Sequence, residues 1–282
     1  MSVVVDSAAS LPADIGQRHP LLQIAPMRLT IGGRTYEDGK DISTAEFYNL
    51  LQRHPGTATT SAPSPAAFLE AFERAAQRSG PILCIVVAEQ FSSTIDSARS
   101  ASREFSGQHP DHEVHVMDSR SAAGGQGLIA LEALRLSQAG EPLSEIVDAT
   151  ARIADRVRLL AFVDTLYYLW KGGRVPGIAH AGARLLRIKP TFELHRAEIG
   201  TVAKPRTTRR ALDRLIRLMA DRVEGRPISA CVMHAAAEEN ALWLHERITR
   251  EFDCRESYVT EFTPVMGAHI GPGMVGVAFW TQ

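Results

Sequence analysis

Hydroxyl side chains gather at Thr59, Thr60, Ser61 and Ser64 in the stretch TATTSAPSPAAFLEAF, residues 57–72, just before apolar residues at helical spacing. Ser64 followed by Pro65 is the pattern of a helix N-cap with proline at the first helical position. One cap needs one hydroxyl, so Thr59, Thr60 and Ser61 remain over. Polar residues follow three other apolar runs in the same way: Asp6 and Ser7 after Val3 to Val5, Ser92, Ser93 and Thr94 after ILCIVVA and EQF, and Asp118 to Ser121 after Val114 to Met117. Capping alone explains any one of these places. Spare hydroxyls at helix N-termini also suit an anion, because the free amides and the macrodipole both favour negative charge there.

Missing motifs narrow the anion. The sequence has no GxxxxGK[ST] phosphate loop, no HExxH and no GxSxG. GQGLIA, residues 125–130, matches GxGxxA loosely but stands well beyond the strand end at Met117, so helix packing explains it better than a dinucleotide turn. A neutral hydroxyl cluster suits a carboxylate held by several hydrogen bonds, each contributing about 1 kcal/mol net. The remaining affinity then has to come from an apolar tail, at ~0.8 kcal/mol per buried methylene.

The elements that must position these residues follow an α/β alternation. Strands are expected at 3–5, 82–88, 114–117, 159–163, 188–194, 228–234 and 274–280. Helices are expected at 66–77, 93–105, 127–138, 144–157, 208–222 and 238–251. Near residues 155–165 the alternation gives way to the loop KGGRVPG and then to ELHRAEIGTVAKPR, which reads as two strands around a turn. The 282 residues therefore divide into an N-terminal parallel α/β domain, 1–160, and a mixed-sheet α/β domain, 161–282. A net charge of -1 with 22% charged residues offers no basic stripe for nucleic acid. No apolar run approaches the roughly 20 residues of a spanning helix, and MSVVVDSAASLP lacks a basic leader, so a cytoplasmic protein without membrane insertion is expected. Cys84, Cys231 and Cys254 have no CxxC spacing, and neither a disulfide framework nor a metal site is expected. Cys84 and Cys231, inside apolar runs, read as small buried hydrophobes.

With these residues in hand, the chain resembles the DegV family of bacterial fatty-acid-binding proteins. VVVDSAASLP, IAPMRLTIGGRTYEDGKDIS, TTSAPSP, FSSTIDSA, VMDSRSAAGGQG, DTLYYLWKGGRV, RIKPTFEL, AKPRTTRRAL and GAHIGPGMVGVAFW are similar to that family's segments, in order, over nearly the whole length. The resemblance implies a two-domain DegV-like fold holding a long-chain fatty acid, with no cofactor. Its carboxylate would be held by Thr60, Ser61 and Ser92. Ser93 stands where the family usually has glycine, so either an extra hydroxyl joins that network or the local turn differs. Ala62 and Pro205 are further departures, and Pro205 removes an amide beside Arg206. The resemblance also implies that the protein is a carrier and not an enzyme, presenting the lipid to a separate ATP-dependent fatty acid kinase that makes the acyl phosphate. Arg174, Arg206 and His269, read as exposed, would serve the head group or face the kinase. Two alternatives remain: a stand-alone phosphotransfer or hydrolytic enzyme using His269, and a lipid sensor or store without a kinase partner. Acyl chain length is not legible in the spacing of the apolar residues.

Overall fold

Val3, Val4 and Val5 are apolar on both faces, as a strand covered on both sides of a parallel sheet requires, and all three are fully buried. The computed structural model describes residues 1–78, 80–174 and 188–282. The VPG end of the KGGRVPG loop lies outside the described residues.

In chain order the first elements are β1 (Ser2–Asp6), α1 (Ile15–Arg18), β2 (Leu22–Ala25), β3 (Arg28–Ile31), β4 (Arg34–Glu37), α2 (Thr44–Arg53), β5 (Thr59–Ser61), α3 (Pro65–Ala76), β6 (Ile82–Val86), α4 (Thr94–Gln108), β7 (Val114–Asp118), α5 (Gly124–Gln138) and α6 (Leu143–Ala154). They continue with β8 (Arg158–Phe162), α7 (Tyr167–Gly172), β9 (Thr191–His195), β10 (Glu198–Ala203), α8 (Thr208–Val223), β11 (Ile228–His234), α9 (Glu238–Glu251), β12 (Cys254–Glu261), α10 (Pro264–Ile270) and β13 (Val275–Thr281).

The first sheet, ordered β2-β1-β6-β7, is parallel throughout. Phe68 and Phe72 of α3 and Phe105 of α4 pack its outer face against Val4, Cys84 and Val86. The second sheet, β10-β9-β8-β13-β11-β12, is mixed: β11 and β12 run parallel and the other neighbours antiparallel. Leu215 and Met219 of α8 and Leu244 and Ile248 of α9 cover its outer face over Phe162, Val277 and Phe279. The chain passes from one sheet to the other between Ala154 and Arg158.

Helix α5 lies between the two sheets, touching β1 and β6 of the first and β8, β11 and β13 of the second. It is buried continuously from Gly124 to Leu131, as expected of a helix without a polar face. Its glycines serve close approach. A Cβ on Gly124 would stand 2.5 Å from Cys231 Sγ, and one on Gly127 would stand 3.0 Å from Leu11 Cδ2 and 3.2 Å from the Ala9 carbonyl oxygen. GQGLIA is thus part of a helix pressed between sheets and not a phosphate-binding turn. Cys231 is fully buried beside it, and burial pushes its thiol up to about 12; Cys84, also fully buried, lies on the other face of the first sheet, under α3 and α4.

Among the described residues nine of these elements lie outside the sequence expectation, α1, β2, β3, β4, α2, β5, α7, β12 and α10, and three of them show why. Thr59–Ser61, expected as loop, forms β5, which pairs with β3 so that Thr60 lies opposite Leu29 in the sheet β4-β3-β5. Strand β12 carries charged residues in CRESYVTE, which suits its place at the edge of the second sheet. Helix α10 begins at the Thr263-Pro264 pair, a helix-start signal hidden by the short length of the run that follows.

Candidate functional site

The polar residues that follow β1 turn inward as struts. Asp6, fully buried, accepts hydrogen bonds from the backbone N–H groups of Ala8 (3.0 Å) and Val87 (2.8 Å) and from the Gln126 amide (3.1 Å). Ser7 donates to Asp38 (2.7 Å) and accepts from the backbone N–H of Met27 (3.1 Å). The other Asp38 oxygen accepts from the backbone N–H of Val265 (3.2 Å), in the first turn of α10, where a carboxylate also meets the positive end of the helix. Burial pushes both carboxyls up to about 6 against these stabilising donors. The Asp118–Ser121 stretch is likewise structural: Ser119 and Ser121 are buried, and Arg120 pairs with Asp155 at 2.6 Å.

The struts fix the rim of a cavity between the two sheets. From the first half, Ala8, Met27, Val87, Phe91, Ala122 and Ala123 line it; from the second, Leu159, Ala161, Phe192, Leu194, Ile199 and Phe262 are among the lining residues. Its volume, taken at the centres of water-sized spheres, is ≈ 150 Å³, where one water needs about 10–15 Å³ on the same measure. Among the described lining residues the polar ones are Thr60, Ser61, Ser92, Arg174 and His269. A mostly apolar cavity with a few convergent polar groups is the form of a small-molecule site, and here it suits an amphiphile.

Five of the residues singled out in the sequence therefore meet. Thr60 Oγ1 lies 2.7 Å from His269 Nε2, joining β5 to α10. Ser92 Oγ lies 2.7 Å from the hydroxyl of buried Thr94. Arg174 is exposed and donates to the Gly172 carbonyl at 2.8 Å. Burial, with the Arg174 charge adding to it, pushes His269 down to about 4, so the ring is neutral at physiological pH. His269 was expected to be exposed; instead the inner face of α10, Val265, Met266, His269 and Ile270, looks into the cavity.

Two residues stay outside. Ser93 is exposed, makes no side-chain cap bond and does not line the cavity, because consecutive side chains at the start of α4 point apart and Ser92 takes the inward position. Arg206 is exposed in the loop before α8, which the backbone N–H of Lys189 holds through the Pro205 carbonyl at 2.6 Å. Sequence reading missed the apolar lining and α10; the apolar residues of TPVMGAHI, spaced one and four apart, are the signal that locates both. Among the described residues no group of three or more His, Cys, Asp or Glu is placed to hold a metal ion, and no helix is long and apolar enough to cross a membrane.

The depressed His269 value has a measurable consequence. A histidine whose folded value lies below its unfolded 6.5 contributes stability that is present above pH 6.5 and lost as pH falls through about 4. His269→Gln lacks this dependence, whereas the two raised aspartates act equally in both proteins. The stability of wild type relative to His269→Gln should therefore increase by roughly 3 kcal/mol from pH 4 to 6.5, at about 1.4 kcal/mol per unit of pKa displacement. Urea unfolding at several pH values reads this difference, and a gap constant across the window would show a ring that titrates normally.

Comparison with known proteins finds one family over the whole chain. The family model described as "Uncharacterised protein, DegV family" matches residues 1–282. A DegV domain-containing protein of Streptomyces coelicolor is 34% identical over 280 residues, covering 98% of this chain and 97% of that protein. The solved structure of a DegV family protein from Thermus thermophilus, described as fatty acid binding, superposes with a TM-score of 0.91 at 26% identity, over 100% of this chain and 99% of that one. DegV of Bacillus subtilis, described as a fatty acid binding protein, gives a TM-score of 0.87 at 26% identity over the same shares.

Proposed function

Because this chain belongs to the DegV family, we propose that it binds a long-chain fatty acid and presents it, as a cytoplasmic carrier, to a separate fatty acid kinase. The observation that carries this reading is the apolar cavity between the sheets with Thr60, Ser61, Ser92, Arg174 and His269 in its wall. The hydroxyls of Thr60, Ser61 and Ser92 hold the carboxylate, and the tail lies between the faces of Ala161, Phe192, Leu194 and Ile199 on one side and Met27, Val87 and Ala123 on the other. The N-terminal domain, expected as 1–160, supplies the hydroxyl loops, and the second domain, expected as 161–282 but opening with β8 at Arg158, closes the cavity and supplies Arg174 and His269. Transfer of each methylene from water contributes about 0.8 kcal/mol, so the tail supplies most of the affinity and the hydroxyls set its direction. A neutral His269 with a value near 4 is a poor general base at neutral pH, which favours a carrier over an enzyme built on that ring.

Mass spectrometry of the purified protein, first native and then after solvent extraction, tests the reading. A stoichiometric adduct that extracts as a fatty acid is expected. A protein that is empty and stays empty after incubation with a range of fatty acids would overturn it.

Exposed Arg206 has no place in the cavity, and the kinase-facing role is assigned to it. Arg206→Ala is expected to keep its fatty acid and to slow acyl phosphate formation by the partner kinase with ATP by roughly 10- to 100-fold. That range corresponds to one charge-assisted contact of about 1.5–3 kcal/mol. Loss of lipid in this variant, or an unchanged phosphorylation rate, would remove the assignment.

A further inference from the structure

The His269 ring rests against the last residue of α7. A Cβ on Gly172 would stand 2.5 Å from His269 Nδ1 and 3.4 Å from Cγ, and real Cβ contacts essentially never fall below 3.0 Å. The backbone of Gly172 is helical; the left-handed position is Gly173, at φ 65°. Nothing in the backbone therefore asks for glycine at 172, and alanine is the better helix former. What excludes a side chain is the ring of His269.

The same contact bears on which ring nitrogen holds the proton. A neutral imidazole has one N–H and one bare nitrogen. His269 Nδ1 is buried without a hydrogen-bond partner among the described residues, while Nε2 lies 2.7 Å from Thr60 Oγ1. An orphaned buried N–H is rarer than an unpaired acceptor, and a lone pair accepts a weak C–H contact from a bare Cα where an N–H would face it head-on. We propose that Gly172 is a positioning residue: its bare Cα seats His269 with Nδ1 unprotonated, so that Nε2–H donates to Thr60 and the Thr60 hydroxyl donates into the cavity. This deepens the fatty-acid reading, on which the identity of the acceptor rests. A Thr60 hydroxyl committed as a donor selects an ionised carboxylate over a group that must itself donate.

Two measurements test it. In protein labelled with ¹⁵N-histidine, the ring nitrogen shifts of wild-type His269 should report the Nε2–H tautomer; an Nδ1–H tautomer overturns the proposal. In a double-mutant cycle, Gly172→Ala should lower the melting temperature by several degrees in the wild-type background. In His269→Ala, with no ring to displace, the same substitution should leave it unchanged or raise it. An equal shift in both backgrounds overturns the proposal. Should Gly172→Ala alone fail to fold, the wild-type tautomer and the folding of the Gly172→Ala/His269→Ala double variant still decide: the double variant is expected to fold, and its failure to do so counts against the ring as the obstacle. Extracted lipid is measured on the same samples. Coupling in a protein that never binds fatty acid would uphold the seat of His269 and fail the lipid reading; bound lipid without coupling would fail the positioning role alone.

Discussion

A Thr60→Ala/Ser92→Ala double variant is expected to release its fatty acid, with affinity falling roughly 10²- to 10⁴-fold while the fold persists. A hydrogen bond to a charged group contributes about 1.5–3 kcal/mol, and two together correspond to that factor at 1.4 kcal/mol per decade. Both side chains reach the cavity, from β5 and from the turn before α4, and neither belongs to the packed core. Thr60 also holds His269, so Thr60→Ala should cost more than Ser92→Ala, whose partner Thr94 remains available to hold the turn. Thr60→Ser, which keeps the hydroxyl, should recover most of the loss. Lipid retained through delipidating chromatography, measured by mass spectrometry, provides the check; retention equal to wild type would mean that the carboxylate is held elsewhere.

Asp6→Ala is expected to be the most destabilising single substitution among the struts, at about 3–5 kcal/mol. The substitution leaves the backbone N–H groups of Ala8 and Val87 and the Gln126 amide without their acceptor in a fully buried place, and each orphaned donor costs about 1–3 kcal/mol. Relief of the carboxylate's own burial, visible in its value of about 6, returns part of that sum. For a chain of this size the loss corresponds to roughly 10 °C in melting temperature. Asp6→Asn, which keeps one acceptor oxygen, should lose less. A change under 1 kcal/mol in Asp6→Ala, measured by urea unfolding, would show that water takes over the acceptor role.

Much of the architecture is legible because its causes are local. The helix expected at 66–77 is found at Pro65–Ala76, and Ser64 accepts from the backbone N–H of Ala67 at 3.2 Å as its cap. ELHRAEIGTVAKPR gives the β9–β10 hairpin, although Arg196 and Ala197 turn at positive φ without any glycine to announce it. Elements whose stability comes from neighbours were harder to read. Strand β5 has only three residues and owes its existence to β3, and the short α10 is anchored at its first turn by Asp38, far away in sequence. At the site, Thr60 and Ser61 stood out because, with Thr59, they exceed what capping needs, whereas Ser92 was singled out by the family resemblance. Ser92 and Ser93 are adjacent and chemically identical, so only the geometry at the start of α4 separates the inward one from the exposed one. Ala161 and Leu194 carry ordinary core spacing, and nothing local distinguishes a side chain that faces a void from one that faces another side chain.

The helix shared by both sheets binds the two halves into one thermodynamic unit. Gly124 meets Cys231 and Met233 of the second sheet, while Gln126, two residues on, reaches Asp6 and the Ile85 carbonyl of the first. Neither half can melt without stripping one side of α5, so the unfolding enthalpy measured by calorimetry should equal the van't Hoff value for the whole chain. A fragment ending near residue 160 would expose the other side of that helix to water and associate with itself. On the proposed fatty-acid reading, lipid exchange would proceed by local opening at the rim, because parting the sheets amounts to global unfolding.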